Sequence, residues 1–385
     1  MDEFRGHVVL IERYNHSEVL LGFIRILLYL RFKVSVIAAK RIHQLLNETE
    51  ISRCYSEIVV EGAGELNAYT SFFNTADFLI FTTIESEFAS FTMPDVTIPK
   101  FAVLHSANFY LRKELFGGIC SVKALIKRLE LLVKGRYLQR HSWMIQMDGF
   151  IFGHDIVTAN VKKKYPEWQH KRMLTFPFSM YLDRFSVKLP SDVVKIVIPG
   201  TVNPRSRHYV PVYKALTKLK NESGIPFVEI ALLGKPSGIA GQELAKMFYN
   251  LSNHKFFVKI FTEEISFLEY EGQLANADFL ILPLKRKSCY FSSLEYLNET
   301  FFSGTVYDMV KVAKPALMPV GFPLPHSIEA LTERYNDAEH LYIILLDWIK
   351  NRTYQYKDKT LLCREFSIEK IAESIKKDKF IAIIR

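Results

Sequence analysis

The sequence predicts an α/β protein built as two doubly wound, parallel-sheet domains facing a central cleft. Three observations carry this reading. The chain has 385 residues, which suits two domains at roughly 100–200 residues each. In both halves, short apolar runs rich in β-branched residues alternate with longer segments, as strands buried on both faces of a parallel sheet do. Between the halves, Phe176–Asp192 carries Pro177 and Pro190 and has no hydrophobic period, so it reads as a linker. The expected domains are residues 1–180 and 181–360, with 361–385 as a closing helical segment.

Along the first half, His7–Glu12 (HVVLIE) reads as a buried strand. Asn15–Glu18 is a loop and helix N-cap, and the apolar run to Leu30 is the helix. Lys33–Ala38, Ile58–Val60, Phe78–Phe81 and Phe101–Leu104 continue the strand series. In the second half, Lys195–Pro199, Val228–Leu233, Phe256–Phe261, Asp278–Pro283 and a run starting at Pro315 are strands. Tyr213–Asn221, Ser266–Ala275 and Ser303–Val312 are the helices between them. Phe366–Lys379 reads as a basic amphipathic helix crossing back onto the first domain.

Hydrophobic residues make up 49% and charged residues 24%, which excludes a disordered, collagen-like or low-complexity chain. Lys plus Arg number 50 against 41 Asp plus Glu, a formal charge of +9. That excess points to an anionic partner: a nucleotide, a nucleic acid or an acidic membrane surface. Cys54, Cys120, Cys289 and Cys363 are far apart and form no CxxC pair. A reducing compartment without structural zinc is expected. No signal peptide is visible, so a cytoplasmic location is expected. The longest apolar stretch, Val19–Phe32, is interrupted by Arg25 and Arg31 and falls short of the ~20 residues a spanning helix needs. Any membrane contact is expected to be peripheral.

Three segments of the second half carry chemistry. In Pro199–Tyr209 (PGTVNPRSRHY), Gly200 ends a strand and lets backbone approach a ligand. Arg205 and Arg207 follow in the same loop, and two cations there can hold a diphosphate; the competing reading is two solvated arginines. Ser303-Gly304-Thr305 opens a helix whose free N–H groups and positive dipole end make an anion site; the competing reading is a plain N-cap. The third segment, Ala275–Leu284 (ANADFLILPL), is a strand with a polar approach. Thr305 leads on to Asp308 and the Ala313-Lys314-Pro315 turn.

Together and in this order, these segments resemble the donor half of GT-B glycosyltransferases. The nearest resemblance is to the large retaining family, family 4-like, that includes many bacterial mannosyl- and glucosyltransferases. The first half is similar to the acceptor domain of the same Rossmann-like fold. The resemblance implies that Arg207 binds the donor phosphates and that Asp308 holds the ribose hydroxyls. It also places a histidine, His105, near the donor sugar. Two positions depart from the family pattern. Thr201 stands where the family has an arginine, and the first glutamate of its E-x7-E motif falls on Thr300. In inverting GT-B enzymes a base comes from the first strand-to-helix loop, where His16 and Glu18 lie. His16 would deprotonate an acceptor hydroxyl with Glu18 nearby. The competing reading is that Asn15 or Ser17 caps the helix, and both stereochemical outcomes stay open.

Residues 112–140 hold eight basic and two acidic side chains, a local charge of +6, interleaved with Leu125, Ile126, Leu129, Leu131, Leu132 and Val133. A basic helix with an apolar face suits an anionic membrane, with Lys123, Lys127 and Arg128 as contacts. The alternative is a core-packed helix with a solvated face. Nucleic acid is not expected, since no helix-turn-helix, zinc-finger or RNP pattern occurs. HExxH, GxxxxGK[ST] and GxSxG are absent, as is a DxD at a strand end. The expectation is a metal-independent glycosyltransferase. It would use a nucleotide-diphosphate sugar as donor and no cofactor, with a glycan or lipid-linked acceptor in cell-surface polysaccharide or glycoconjugate synthesis. The alternatives are a non-catalytic GT-B protein that binds glycan or stabilises a partner, and a sugar-nucleotide epimerase of the same fold.

Overall fold

The run His7–Glu12 forms strand β1, and every residue after His7 is buried. A strand covered on both faces needs no polar alternation, which explains the unbroken Val8-Val9-Leu10-Ile11. The computed structural model describes residues 4–13, 16–84, 95–114, 117–119, 121–183, 192–290 and 292–377. The chain divides into two units. The first comprises Met1–Ser179, Cys289–Phe302 and Ile368–Arg385; the second comprises Met180–Ser288 and Ser303–Ser367.

The first unit continues with β2 (Lys33–Ala38), β3 (Ser56–Val59), β4 (Phe78–Phe81), β5 (Lys100–Val103), β6 (Gly149–Phe152) and β7 (Arg172–Thr175). These strands make one sheet in the order β3-β2-β1-β4-β5-β6-β7, and all its pairs are parallel. Its helices are α1 (Ser17–Tyr29), α2 (Lys40–Asn47), α3 (Thr70–Phe73), α4 (Ala107–Leu111), α5 (Val122–Val133), α6 (Arg136–Gln146) and α7 (Asp155–Lys164). One core binds sheet to helices, with Val9, Leu79, Phe81, Ala102, Phe150 and Trp168 among its members.

The second unit has β8 (Val193–Pro199), β9 (Phe227–Leu233), β10 (Phe256–Ile260) and β11 (Phe279–Ile281). A hairpin of β12 (Lys287–Tyr290) and β13 (Ser293–Tyr296) interrupts the series before β14 (Ala316–Pro319) and β15 (Thr332–Tyr335). The sheet order is β10-β9-β8-β11-β14-β15, parallel throughout. Its helices are α8 (Tyr209–Leu219), α9 (Gly238–Tyr249), α10 (Phe267–Asn276), α11 (Gly304–Val312), α12 (His326–Ala330), α13 (Ala338–Asn351) and α14 (Thr360–Glu365). The last helix, α15 (Ile368–Lys377), belongs to the first unit, where it buries Ile371, Ala372 and Ile375 and packs on α1.

Both sheets are doubly wound. The strand order reverses between β1 and β4 in one and between β8 and β11 in the other, and ligands of such sheets bind outside the carboxyl ends of the strands at that reversal. Two findings differ from the sequence reading, and parts of two expected segments lie outside the described residues. Cys289–Phe302, which holds the end of β12, all of β13 and the residues after it, lies with the first unit, although the sequence placed it in the second. The linker and the N-cap loop fall partly outside the described residues, at 184–191 and at 14–15. Cys54 and Cys363 are free thiols, but Cys289 is disulfide-bonded. Spacing along the chain is blind to a pairing that the fold brings about.

Candidate active site

In the second unit, β8 ends at Pro199 and the chain turns through Gly200 at φ +80°. Only glycine adopts this region without strain. Space forbids a side chain as well: a Cβ at Gly200 would lie 2.2 Å from Arg207 Nη2 and 2.9 Å from Thr305 Cγ2. The next strand, β9, ends in the same way, since a Cβ at Gly234 would lie 2.6 Å from the Gly200 carbonyl. Gly200, Arg207 and Thr305 therefore converge on one point at the β8–β11 reversal.

Arg207 is half-buried and donates from Nη1 to Pro199 O at 2.6 Å. Arg205 is exposed; its amide donates to Asn203 Oδ1 at 3.0 Å, and its side chain takes no part in the convergence. A cation that sequence reasoning missed stands in the same loop cluster. Lys285, just past β11, donates from Nζ to Pro204 O at 2.8 Å and to Arg205 O at 3.0 Å. Burial lowers its pKa. Its signal was its position: a lysine directly after an apolar strand that neighbours β8.

At α11, the Ser303 side chain does not cap the helix and instead shares a 3.0 Å hydrogen bond with Thr305 Oγ1. The first helical amide bond runs from Val306 N to Ser303 O. The Gly304 and Thr305 amides therefore have no helical acceptor, as at any helix start. Gly304 is exposed, and a Cβ there would meet open space. Asp308, one turn on, accepts the Tyr270 hydroxyl at 2.8 Å. Thr201 is exposed, and Thr300 belongs to the first unit. Two cavities of the second unit, about 500 and 350 Å³, are lined by none of the predicted site residues.

In the first unit, His16 occupies the N-cap position of α1 without a side-chain capping bond. Its ring stacks on His105 at 4.1 Å and 13°. His105 also meets Phe178, at 5.1 Å, and its Nε2 lies 2.8 Å from Thr82 O. A carbonyl only accepts, so Nε2 carries the proton and the neutral ring keeps its lone pair on Nδ1. Burial first, then the neighbouring His16, holds His105 well below the usual histidine range. Glu18 sits in the first turn of α1, exposed. Among the described residues no hydrogen bond or ion pair joins it to His16, because neighbours two apart on a helix do not face each other. The expected His16–Glu18 partnership is replaced by a His16–His105 stack.

A carboxylate was missed as well. Glu12, at the end of β1, is fully buried and accepts from Thr82 Oγ1 at 2.7 Å and Thr83 Oγ1 at 2.6 Å. Thr82 thus serves both Glu12 and His105 at the β1–β4 reversal. An acid closing an otherwise apolar strand was the available signal.

The basic stretch is split by the fold. Arg128 is buried and donates to Gly117 O (2.7 Å), Ser292 O (2.7 Å) and Ser293 Oγ (2.9 Å). It is therefore no membrane contact: a guanidinium spent on internal carbonyls has no face left for lipid. Lys123 and Lys127 are exposed, and Lys127 and Lys134 share Glu130 at 3.1 and 2.6 Å. The exposed face of α5 also carries Val122, Ile126, Leu129 and Val133, and α6 adds Leu138 and Ile145. Among the described residues, no helix is long and apolar enough to cross a membrane. None of them form a group of three or more side chains placed to hold a metal ion.

No family model and no curated protein matches the sequence. Solved structures match along its whole length. The Anabaena protein Alr3699/HepE, in complex with UDP-glucose, has a TM-score of 0.60 and 12% identity over 97% of this chain and 98% of that one. A putative UDP-N-acetylglucosamine 2-epimerase from Listeria monocytogenes has a TM-score of 0.51 and 11% identity, over 97% and 94%. The lipopolysaccharide outer core galactosyltransferase WaaB, in its apo form, has a TM-score of 0.51 and 8% identity, over 97% and 99%. At such identities the likeness is one of fold, and the fold is GT-B: two Rossmann-like units with parallel, doubly wound sheets.

Proposed function

We propose that the chain transfers a sugar from a nucleotide-diphosphate sugar to a glycan or lipid-linked acceptor. The observation that carries this reading is the convergence of Gly200, Arg207 and Thr305 at the β8–β11 reversal. Side-chain-free backbone, a guanidinium and a helix N-terminus at one point suit a diphosphate. Charge grows on that group as the glycosyl bond breaks, so donors fixed there act on the transition state. Arg207 and the Ser303–Thr305 amides take this role, with Lys285 and Arg205 at the loop edge and no metal required. Asp308 takes the ribose, exchanging the Tyr270 hydroxyl for a sugar hydroxyl. His105, proton on Nε2 and lone pair on Nδ1, and His16 stacked on it act on the sugar and acceptor side. UDP-glucose bound to the structurally similar HepE supports the donor class.

The exposed Val122–Ile126–Leu129–Val133 face, flanked by Lys123 and Lys127, supports peripheral attachment to an acidic membrane on its cytoplasmic side, and with it a lipid-linked acceptor. A second reading is a sugar-nucleotide epimerase, favoured by the full-length likeness to the Listeria protein. The deciding experiment is a calorimetric screen of nucleotide sugars, then NMR of the product with and without acceptor. Transfer gives a new glycoside only when acceptor is present, whereas epimerisation needs donor alone. Loss of neither affinity nor turnover in Arg207→Ala and Asp308→Ala would remove the site assignment. A screen with no binder would leave a non-catalytic protein.

A further inference from the structure

Helix α4 begins two residues after His105, and its first three amides are all satisfied by the segment 289–302. Ala107 N donates to Thr300 O at 2.9 Å. Asn108 N donates to Glu295 Oε2 at 3.2 Å, and Phe109 N to Glu295 Oε1 at 2.8 Å. The residue that local sequence would choose as cap, Ser106, makes no side-chain capping bond. The cap comes instead from a carboxylate 186 positions along the chain.

This carboxylate is itself held. Thr300 Oγ1 donates to Glu295 Oε2 at 2.6 Å and accepts from Tyr296 N at 2.9 Å. Asn108 Nδ2 donates to Leu294 O at 2.6 Å, and its Oδ1 accepts the Tyr165 hydroxyl at 2.5 Å. Further along the segment, Leu294 N donates to Gly118 O at 2.8 Å and Asn160 Nδ2 to Asn298 O at 3.2 Å. Arg128 fastens Ser292 and Ser293. Glu295 is fully buried. Lys164 of α7 is the cation that acts on it, with its ammonium 5.2 Å from the Tyr296 ring.

A buried carboxylate is costly to keep. Fixing the start of a five-residue helix does not by itself call for one, because Ser106 stands in place to cap. The element between β5 and α4 is His105-Ser106. Its near side is pinned by the His105 Nε2 bond to Thr82 O and its far side by the Glu295 clasp. We propose that Glu295, oriented by Thr300, is a positioning residue for His105. It sets where the imidazole stands by fixing the start of α4. The proposal rests on the role assigned to His105 above. It also gives a use to Thr300, the position at which the sequence departs from the resembled family's motif.

The test is two-bond 1H–15N NMR of the His105 ring in the full-length protein, with the resonances assigned by their loss in His105→Gln. The variants are Glu295→Gln, Thr300→Val and Thr300→Ser. Thr300→Val keeps the side-chain shape and the backbone bond to Ala107 and removes only the hydroxyl, and circular dichroism of each variant establishes that it is folded. Expected is a changed tautomer balance at His105 in Glu295→Gln and Thr300→Val, restored in Thr300→Ser. Turnover should show kcat down roughly tenfold with donor KM within about twofold, because a displaced catalytic group costs rate rather than ground-state binding. Unchanged His105 resonances in the folded variants overturn the proposal. If the wild type turns over no sugar nucleotide while the resonances move as expected, the transferase reading fails and the positioning of His105 by Glu295 stands.

Discussion

Glu295 also makes a thermodynamic prediction that needs no substrate. Burial pushes its carboxyl from the ordinary 4.5 up to about 7, against the pull of Thr300, the Phe109 and Asn108 amides and Lys164. Between those two values the folded protein holds a proton that the unfolded chain has released. Stability therefore falls as pH rises through the window, and the full penalty is present above pH 7. The difference corresponds to about 3 kcal/mol in all, about 2.5 kcal/mol of it between pH 5 and pH 8. Glu295→Gln has no such proton to lose. Its amide NH2 faces donors where the carboxylate faced them as an acceptor, at a cost of about 1–3 kcal/mol that does not vary with pH. The test is thus the slope of the difference between the two proteins, in which titrating groups remote from Glu295 cancel. Urea unfolding at pH 5, 6, 7 and 8 would follow Trp143 and Trp168, both buried in the first unit, in a Trp348→Phe background that silences the second. Wild type should lose ground steadily to Glu295→Gln as pH rises. Parallel pH curves would refute the account of Glu295 as a carboxylate raised by burial.

Gly200→Ala should lower stability by about 1–3 kcal/mol, since it adds a clash with Arg207 to a strained φ. It should also abolish nucleotide-sugar binding in calorimetry; retained binding would separate Gly200 from the donor. Tyr270→Phe removes the hydroxyl bonded to Asp308, so donor affinity should rise by about fivefold if a ribose hydroxyl must displace it; unchanged affinity refutes the ribose role. Ile126→Asp and Val133→Asp should release the protein from anionic vesicles in flotation, and wild-type failure to float removes the membrane reading. Arg128→Ala should lower first-unit stability by about 3 kcal/mol, because it strips a buried segment of charge-assisted bonds; a loss within measurement error refutes its role as a clasp.

The parts of this protein legible in sequence are those whose cause is local. Val8–Ile11, Ile196–Ile198 and Ile230–Leu233 are strand segments because a parallel sheet between helix layers asks for apolar residues on both faces, and that demand is written in consecutive letters. Gly200 was legible for the same reason: a turn that needs a positive φ selects its residue on the spot. Ser303–Thr305 was legible as a helix start. What stayed hidden depends on pairing across long stretches of chain. Glu295 reads as one more acid in SSLEYLNET, and only the fold shows that its acceptors meet amides of residues 108 and 109. Glu12 and Thr82 are 70 positions apart. Among the described residues, β12 and β13 form a two-stranded sheet of their own, so their alternation was too short to separate from loop. Asp308 was found, but its partner Tyr270 was not, because the contact joins two helices.

The fate of the basic stretch shows why charge counts alone mislead. Of the eight cations between 112 and 140, Arg128 and Arg140 are fully buried. Arg140 donates to Phe109 O and Arg112 O and lies 4.1 Å from the Tyr137 ring. Both are arginines, and chemistry favours that choice. A planar fork of five donors can satisfy several carbonyls at once while its face packs on an aromatic ring. An ammonium is hydrated more strongly and stays outside, as Lys123, Lys127 and Lys134 do. Two of those three share Glu130, which cancels part of what remains. The net charge of this region therefore overstates its pull on an acidic surface. The exposed apolar row on α5 has the opposite status. Its residues recur at four, three and four positions, one face of a helix, and that face is turned to solvent, where apolar side chains contribute nothing to the fold. At about 25 cal/mol per Å² of apolar surface removed from water, four such side chains outweigh lysines worth about 1 kcal/mol each at an anionic surface. Attachment driven by this face is a hydrophobic event that charge only orients.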